Sequence, residues 1–184
     1  HWRCCWPATI LPPRPLLSLQ QWLVTHIGNL MDMDARNDAT YRKAQPDFRW
    51  EGVQHSPYKE EGSAPFRAIS RQTLFAEPTL ECELRYFEMD AGGHSTLERH
   101  AHVHAVMILR GHGKCLLGEV VRDVSPHDLI TIPAWVWHQF RALSDEPVGF
   151  LCMVNHDRDR PQMPTDEQFS ALMANPAVAA FLAG

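Results

Sequence analysis

From Phe66 onward the chain alternates short apolar runs with turn residues at a regular spacing. Residues 68–75 and 80–89 carry the one-in, one-out pattern of half-buried strands and are separated by a turn at Glu77-Pro78. Asp90-Ala91-Gly92-Gly93 predicts a turn, residues 97–109 a long strand, and Arg110-Gly111-His112-Gly113 a hairpin turn. Residues 114–121, 129–133, 137–143 and 148–155 complete the run of strands. Many short strands closed by Gly, Pro and Asp turns predict an all-β sandwich or barrel. The period then lengthens. Thr165 with Gln168 makes a capping box, and Phe169, Leu172 and Met173 form a helical apolar face. Asn175-Pro176 breaks that helix, and residues 177–182 predict a second short one.

The first part of the chain has a different texture. Residues 31–65 are polar and loop-like, with Trp50, Val53 and Tyr58 as anchors for an arm lying on the barrel. Residues 1–30 hold four prolines and no strand or helix period along their length, although Leu19, Trp22, Leu23, Ile27 and Leu30 would fall on one face of a short helix. They start without Met and read as an upstream extension. The expected organisation is therefore an extension (1–30), an arm (31–65), a barrel (66–156) and a helical tail (157–184).

Composition narrows the function classes. A length of 184 residues suits one domain with a real core. A net charge of −5 gives no electrostatic footprint for nucleic acid, and no run approaches the ~20 apolar residues of a membrane span. No helix-turn-helix pattern accompanies the strands. The five cysteines are odd in number and show no CxxC spacing, which predicts a reduced, cytoplasmic protein.

The chemistry gathers on two predicted strands. Glu98, His100, His102 and His104 share a strand parity, so all four aim at one face. Such a face holds water, a ligand or a metal rather than a dry core. His100 and His104 would stand roughly 13 Å apart on an ideal strand, so a shared metal requires a bend or bulge between them. A fourth histidine follows in Pro133-x4-His138. His138 shares its parity with Val136 and Phe140, which should line a pocket. Met107, Trp135 and Trp137 read as packing or a dimer face, and Arg85 and Arg110 as solvated arginines with an acidic substrate as the other possibility. His94, His112, His127 and His156 read as surface residues, and Cys115 and Cys152 as small core residues.

The pattern Gly92-x5-Glu98-x-His100-x3-His104-x6-Gly111 resembles the first motif of the cupin superfamily, G-x5-H-x-H-x3/4-E-x6-G. His127-x5-Pro133-x-Trp135-x2-His138-x3-Ala142 resembles the second, G-x5-P-x-G-x2-H-x3-N, with both glycines and the Asn replaced. The resemblance covers residues 66–156. It implies an antiparallel jelly roll (the double-stranded β-helix) binding one divalent transition metal: Fe, Mn, Ni, Cu or Zn. In the register that keeps both glycines, Glu98, His100, His104 and His138 are the ligands. His102 then supports the site, carries a proton, or replaces Glu98. The other register makes His100 and His102 the paired histidines, puts Val106 in the carboxylate slot and keeps only Gly113. The resemblance also implies a small-molecule substrate and a homodimer in which the arm crosses or covers an edge strand. Oxygenase chemistry comes first among the expected activities. An isomerase or lyase, or a non-catalytic small-molecule binder, is the alternative.

Overall fold

The computed structural model describes residues 41–143 and 145–184. The expected 1–30 extension, its short helix and the start of the arm lie outside them. Residues 42–184 form one compact unit.

Three two-residue strands come first: β1 (Ala44–Gln45), β2 (Arg49–Trp50) and β3 (Ser56–Pro57). The barrel strands are β4 (Arg67–Glu77), β5 (Cys82–His94), β6 (His104–Arg110), β7 (Gly113–Leu117), β8 (Val120–Val124), β9 (Leu129–Ile132), β10 (His138–Ala142) and β11 (Val148–Asn155). They pair antiparallel in the order β8-β7-β10-β5-β11-β6-β9, with β4 also on β5 and β3 on β4. β5 belongs to both halves of this sheet. It pairs with β11 along residues 82–89 and touches β10 at His94. The fold is an antiparallel jelly roll, as expected.

Inward-facing residues alternate along the strands and meet in the middle. Phe150 stacks on Phe87 at 5.4 Å and on Phe140 at 4.7 Å, beside fully buried Met89, Val106 and Ile108. Each such side chain contributes roughly 1.5–3 kcal/mol by leaving water. A second cluster joins Leu97 and Leu116 to Leu172, Val178 and Phe181 of the tail. Those last residues lie on α1 (Asp166–Met173) and α2 (Pro176–Ala183). α1 starts at the reciprocal Thr165/Gln168 box, and α2 is capped by the Asn175 side chain with Pro176 in its first turn.

The arm is anchored within its own chain. β3 pairs with residues 70–71 of β4 and so covers that edge. Phe48 stacks on Tyr86 at 5.7 Å, Trp50 meets the same ring edge-on at 5.2 Å, and Tyr58 packs against Phe66 and Phe87.

Four strand boundaries differ from the sequence pattern. A 3-10 turn (Pro78–Leu80) precedes β5, which starts at Cys82. Residues 90–93 are a corner inside β5, where Gly92 takes φ +71°. Residues 114–121 are two strands, β7 and β8, parted at Gly118. Residues 97–109 are not one strand: Glu98 bridges to His138, Arg99 bridges to Gln162, the chain bends at Ala101-His102, and β6 begins at His104. At the bend the Asp159 carboxylate accepts the N–H groups of Ala101 (2.8 Å) and His102 (3.1 Å), replacing lost ladder bonds.

The backbone preserves what the second motif has lost in residue type. Gly111 of the first motif has φ +72°, and a Cβ there would fall 1.9 Å from the Pro147 carbonyl oxygen. His127 and Trp135, which stand where the family pattern has glycine, keep left-handed φ values of 76° and 64°.

Candidate metal centre

The bend at Ala101-His102 brings His100 and His104 together, and β10 delivers His138 beside them. Ligand atoms of these three side chains all lie within 4.8 Å of one another. Their Nδ1 atoms are engaged outward: His100 with the His102 carbonyl at 2.9 Å, His138 with the Val136 carbonyl at 2.9 Å, and His104 with Cys152 Sγ at 3.4 Å. A ring whose Nδ1–H donates to a carbonyl presents an unprotonated Nε2. The Nε2 atoms of His100 and His104 are buried and have no hydrogen-bond partner. Leaving two such nitrogens orphaned costs roughly 1–3 kcal/mol each, a penalty a cation would remove. Burial, then the nearby His138, pushes His100 down to about 4 and His104 to about 2; burial also lowers His138. All three imidazoles are therefore neutral at neutral pH, the form that ligates metal. The donor set fits a first-row divalent ion.

The other residues expected at the site fall in different places. Glu98 is buried in the cavity wall and exchanges two backbone hydrogen bonds with His138. Its carboxylate is ion-paired with Lys59 and is not part of the three-histidine group. His102 stacks on His100, with ring centroids 3.6 Å apart and planes 6° from parallel. Its Nδ1 lies 2.6 Å from an Asp159 oxygen. His100, His102 and Asp159 also form a second group of ligand atoms within 4.8 Å. Phe140 lines the cavity; Val136 does not. Residues 134–135 form a turn and β10 starts at His138, so strand parity does not extend back to Val136.

These side chains surround a cavity of about 200 Å³. Cys152, buried in the core as the sequence pattern reads it, also faces this cavity, and so does Arg85, which the pattern reads as a solvated arginine. The two are opposite one another on β11 and β5. Burial pushes the Cys152 thiol up to about 12, against the pull of Arg85 and Arg158. Arg110 instead lies over Phe48 and pairs with Glu88 at 3.3 Å. Tyr58 and Lys59 of the arm, Arg71 of β4, and Asp159 beyond β11 also line it. None of the four carries a motif. Only the period-2 inward position of Arg71 could have marked it in advance.

Comparison with known proteins agrees with this architecture. Residues 85–154 match a family model described as a cupin domain. A Rhodospirillum rubrum protein named 1-methylthio-D-xylulose 5-phosphate methylsulfurylase is 57% identical over 151 residues, which is 82% of this chain and 97% of that protein. A cupin 2 conserved barrel domain protein from Rhodopseudomonas palustris superposes with a TM-score of 0.73 at 55% identity, covering 77% of this chain and 98% of that one. A cupin-2 domain protein from R. rubrum superposes with a TM-score of 0.72 at 58% identity, covering 78% and 97%.

Proposed function

Since this chain belongs to the cupin superfamily, we propose that it is a metal-dependent cupin enzyme whose substrate is a small keto-sugar phosphate bearing a methylthio group. The single observation that carries the metal is the convergence of His100, His104 and His138 with two orphaned Nε2 atoms. Glu98, adjacent to His138, is the carboxylate candidate for a fourth ligand. The ion, when bound, supplies Lewis acidity toward a substrate carbonyl oxygen and the enolate that develops from it. The substrate class comes from the R. rubrum relative named as a methylsulfurylase.

Three features of the cavity suit that chemistry. In a 1-methylthio ketose the C1–S bond lies next to the C2 carbonyl. If the bonding pair stays on C1, an enolate forms and the sulfur must be taken by a nucleophile. Cys152 is the thiol in the wall. Its Sγ forms a bond to the methylthio sulfur as C1–S breaks, and the thiol proton ends on C1. The products are a 1-deoxy ketose phosphate and a Cys152 methyl disulfide; a small-molecule thiol then restores the cysteine and leaves as the mixed disulfide. Carbon is reduced and sulfur oxidised by the same electron pair. With Nε2 of His104 committed to an ion, its Nδ1 keeps a proton that points at Sγ and favours the thiolate. His102, oriented by Asp159, is the proton carrier beside these groups.

The test is incubation of the metal-loaded protein with the methylthio ketose phosphate, without added thiol, followed by intact-mass analysis. One methylthio group should be retained per chain, on the peptide containing Cys152, with 1-deoxy product in equal amount. Oxygen consumption without such an adduct would instead support the oxygenase reading, which rests on the donor set alone.

A further inference from the structure

Beside Cys152 the cavity wall carries more positive charge than the protein neutralises. Arg71, Arg85 and Arg158 all face it. One carboxylate, Glu83, serves the last two: Arg85 Nε lies 2.6 Å from its Oε2, and Arg158 Nη1 lies 3.3 Å from the same oxygen. His156 Nδ1 stands 3.3 Å from the other oxygen of Glu83. The acceptor is thus fully used. Arg71 sits across from Phe87 on the inner face of β4, and its guanidinium makes no hydrogen bond or ion pair among the described residues. Burial and then the Arg85 charge hold its guanidinium below the usual arginine range. A partly desolvated, unpaired arginine beside two others costs folding free energy unless an anion joins it.

We infer that Arg71, Arg85 and Arg158 form a subsite for a phosphomonoester dianion, with Arg71 supplying the free donor fork. The planar guanidinium matches phosphate oxygens in pairs, and three guanidinium groups clustered around one carboxylate raise the local anion concentration on that side of the cavity. The same cavity reaches the three histidines, so one molecule can hold its phosphate on the arginines and its carbonyl at the triad. This deepens the proposed function and rests on it for the identity of the molecule. The surplus of guanidinium over carboxylate is independent of that reading.

The experiment is titration of inorganic phosphate into the full-length, metal-loaded protein, followed by calorimetry. Wild type, Arg71→Met and His104→Ala are compared, with thermal unfolding of each. Arg71→Met should weaken phosphate binding about tenfold or more without lowering the melting temperature, because Arg71 holds no partner. His104→Ala should leave phosphate affinity within about twofold of wild type. Absence of phosphate binding by the wild type, or equal affinity in Arg71→Met, would overturn the subsite. So would loss of binding in His104→Ala, because phosphate would then be sitting on the metal. Arg71-dependent phosphate binding with no turnover of the methylthio ketose phosphate would leave the subsite standing and remove the substrate.

Discussion

Replacing His127 with Gly should stabilise this protein, although it deletes a whole side chain. His127 takes φ 76°, a left-handed conformation that costs an L-residue about 1–2 kcal/mol. Its N–H donates to the Ile108 carbonyl at 2.8 Å, so the position is tied to β6 and cannot relax freely. The side chain is exposed and makes no hydrogen bond among the described residues, so its removal forfeits little. Glycine removes the strain but adds roughly 0.5–1 kcal/mol of unfolded-state entropy. The net gain is about 0.5–1 kcal/mol, or roughly 1–4 °C in melting temperature. His127→Val should move the other way by about 1 kcal/mol, since a β-branched residue fits left-handed backbone worse than histidine does. Urea denaturation monitored by tryptophan fluorescence measures both, and the slope should stay constant if only native strain has changed. A glycine variant no more stable than wild type, or a valine variant as stable, would refute the reasoning. Trp135, at φ 64°, carries the same strain but is a poorer probe, because its half-exposed indole also buries apolar area.

Further predictions concern the site and the assembly. Glu98→Ala should weaken metal affinity while His102→Ala keeps most of the metal but slows turnover; metal lost in the second and kept in the first would select the His100/His102 register instead. Cys152→Ser should bind metal as wild type does and form no methylthio adduct by intact mass; an adduct retained in this variant would exclude Cys152 as acceptor. The Asp159 carboxyl is held down to about 2, chiefly by the N–H of Ala101 and then by His102. Its contribution to stability is present above about pH 4 and lost as pH falls through about 2, so Asp159→Asn should destabilise the protein more at neutral pH than in strong acid. Light scattering should give a homodimer, and a chain truncated to begin at Met31 should dimerise and bind metal equally well; a monomer, or a truncated chain that is insoluble or metal-free, would refute this.

The fold was legible because strand alternation and glycine spacing report local constraints. Gly92 takes the left-handed φ of a corner, Gly111 allows a close approach to Pro147 that a Cβ would block, and their spacing selected the register. Thr165 and Gln168 announced a helix start that the structure forms bond for bond. The site was legible only in outline. Parity aimed the segment from Glu98 to His104 at one face, but what unites His100 with His104 is a bend secured by Asp159, 57 residues further along the chain from His102. No local pattern encodes such a partner. The same limit hid Lys59 as the ion-pair partner of Glu98, whereas Val136 misses the cavity because the turn at residues 134–135 interrupts the strand parity counted back from His138. Cys152 is the buried core residue its position predicts, but Arg85 departs for a different reason: alternation predicts which face a residue occupies but not whether that face holds packed side chains or open space.

The account depends on a metal held by three histidines, and metal content measures that directly. The full-length protein should be stripped with chelator, offered Fe, Mn, Ni, Cu and Zn separately, and analysed by elemental mass spectrometry beside thermal unfolding. Wild type should retain about one ion per chain, and at a free-ion concentration about a thousandfold above the dissociation constant it should gain about 4 kcal/mol of stability. His100→Ala, His104→Ala and His138→Ala should each lose both the ion and the gain. A wild type that retains none of the five metals, or histidine variants that keep the ion and the added stability, would contradict it.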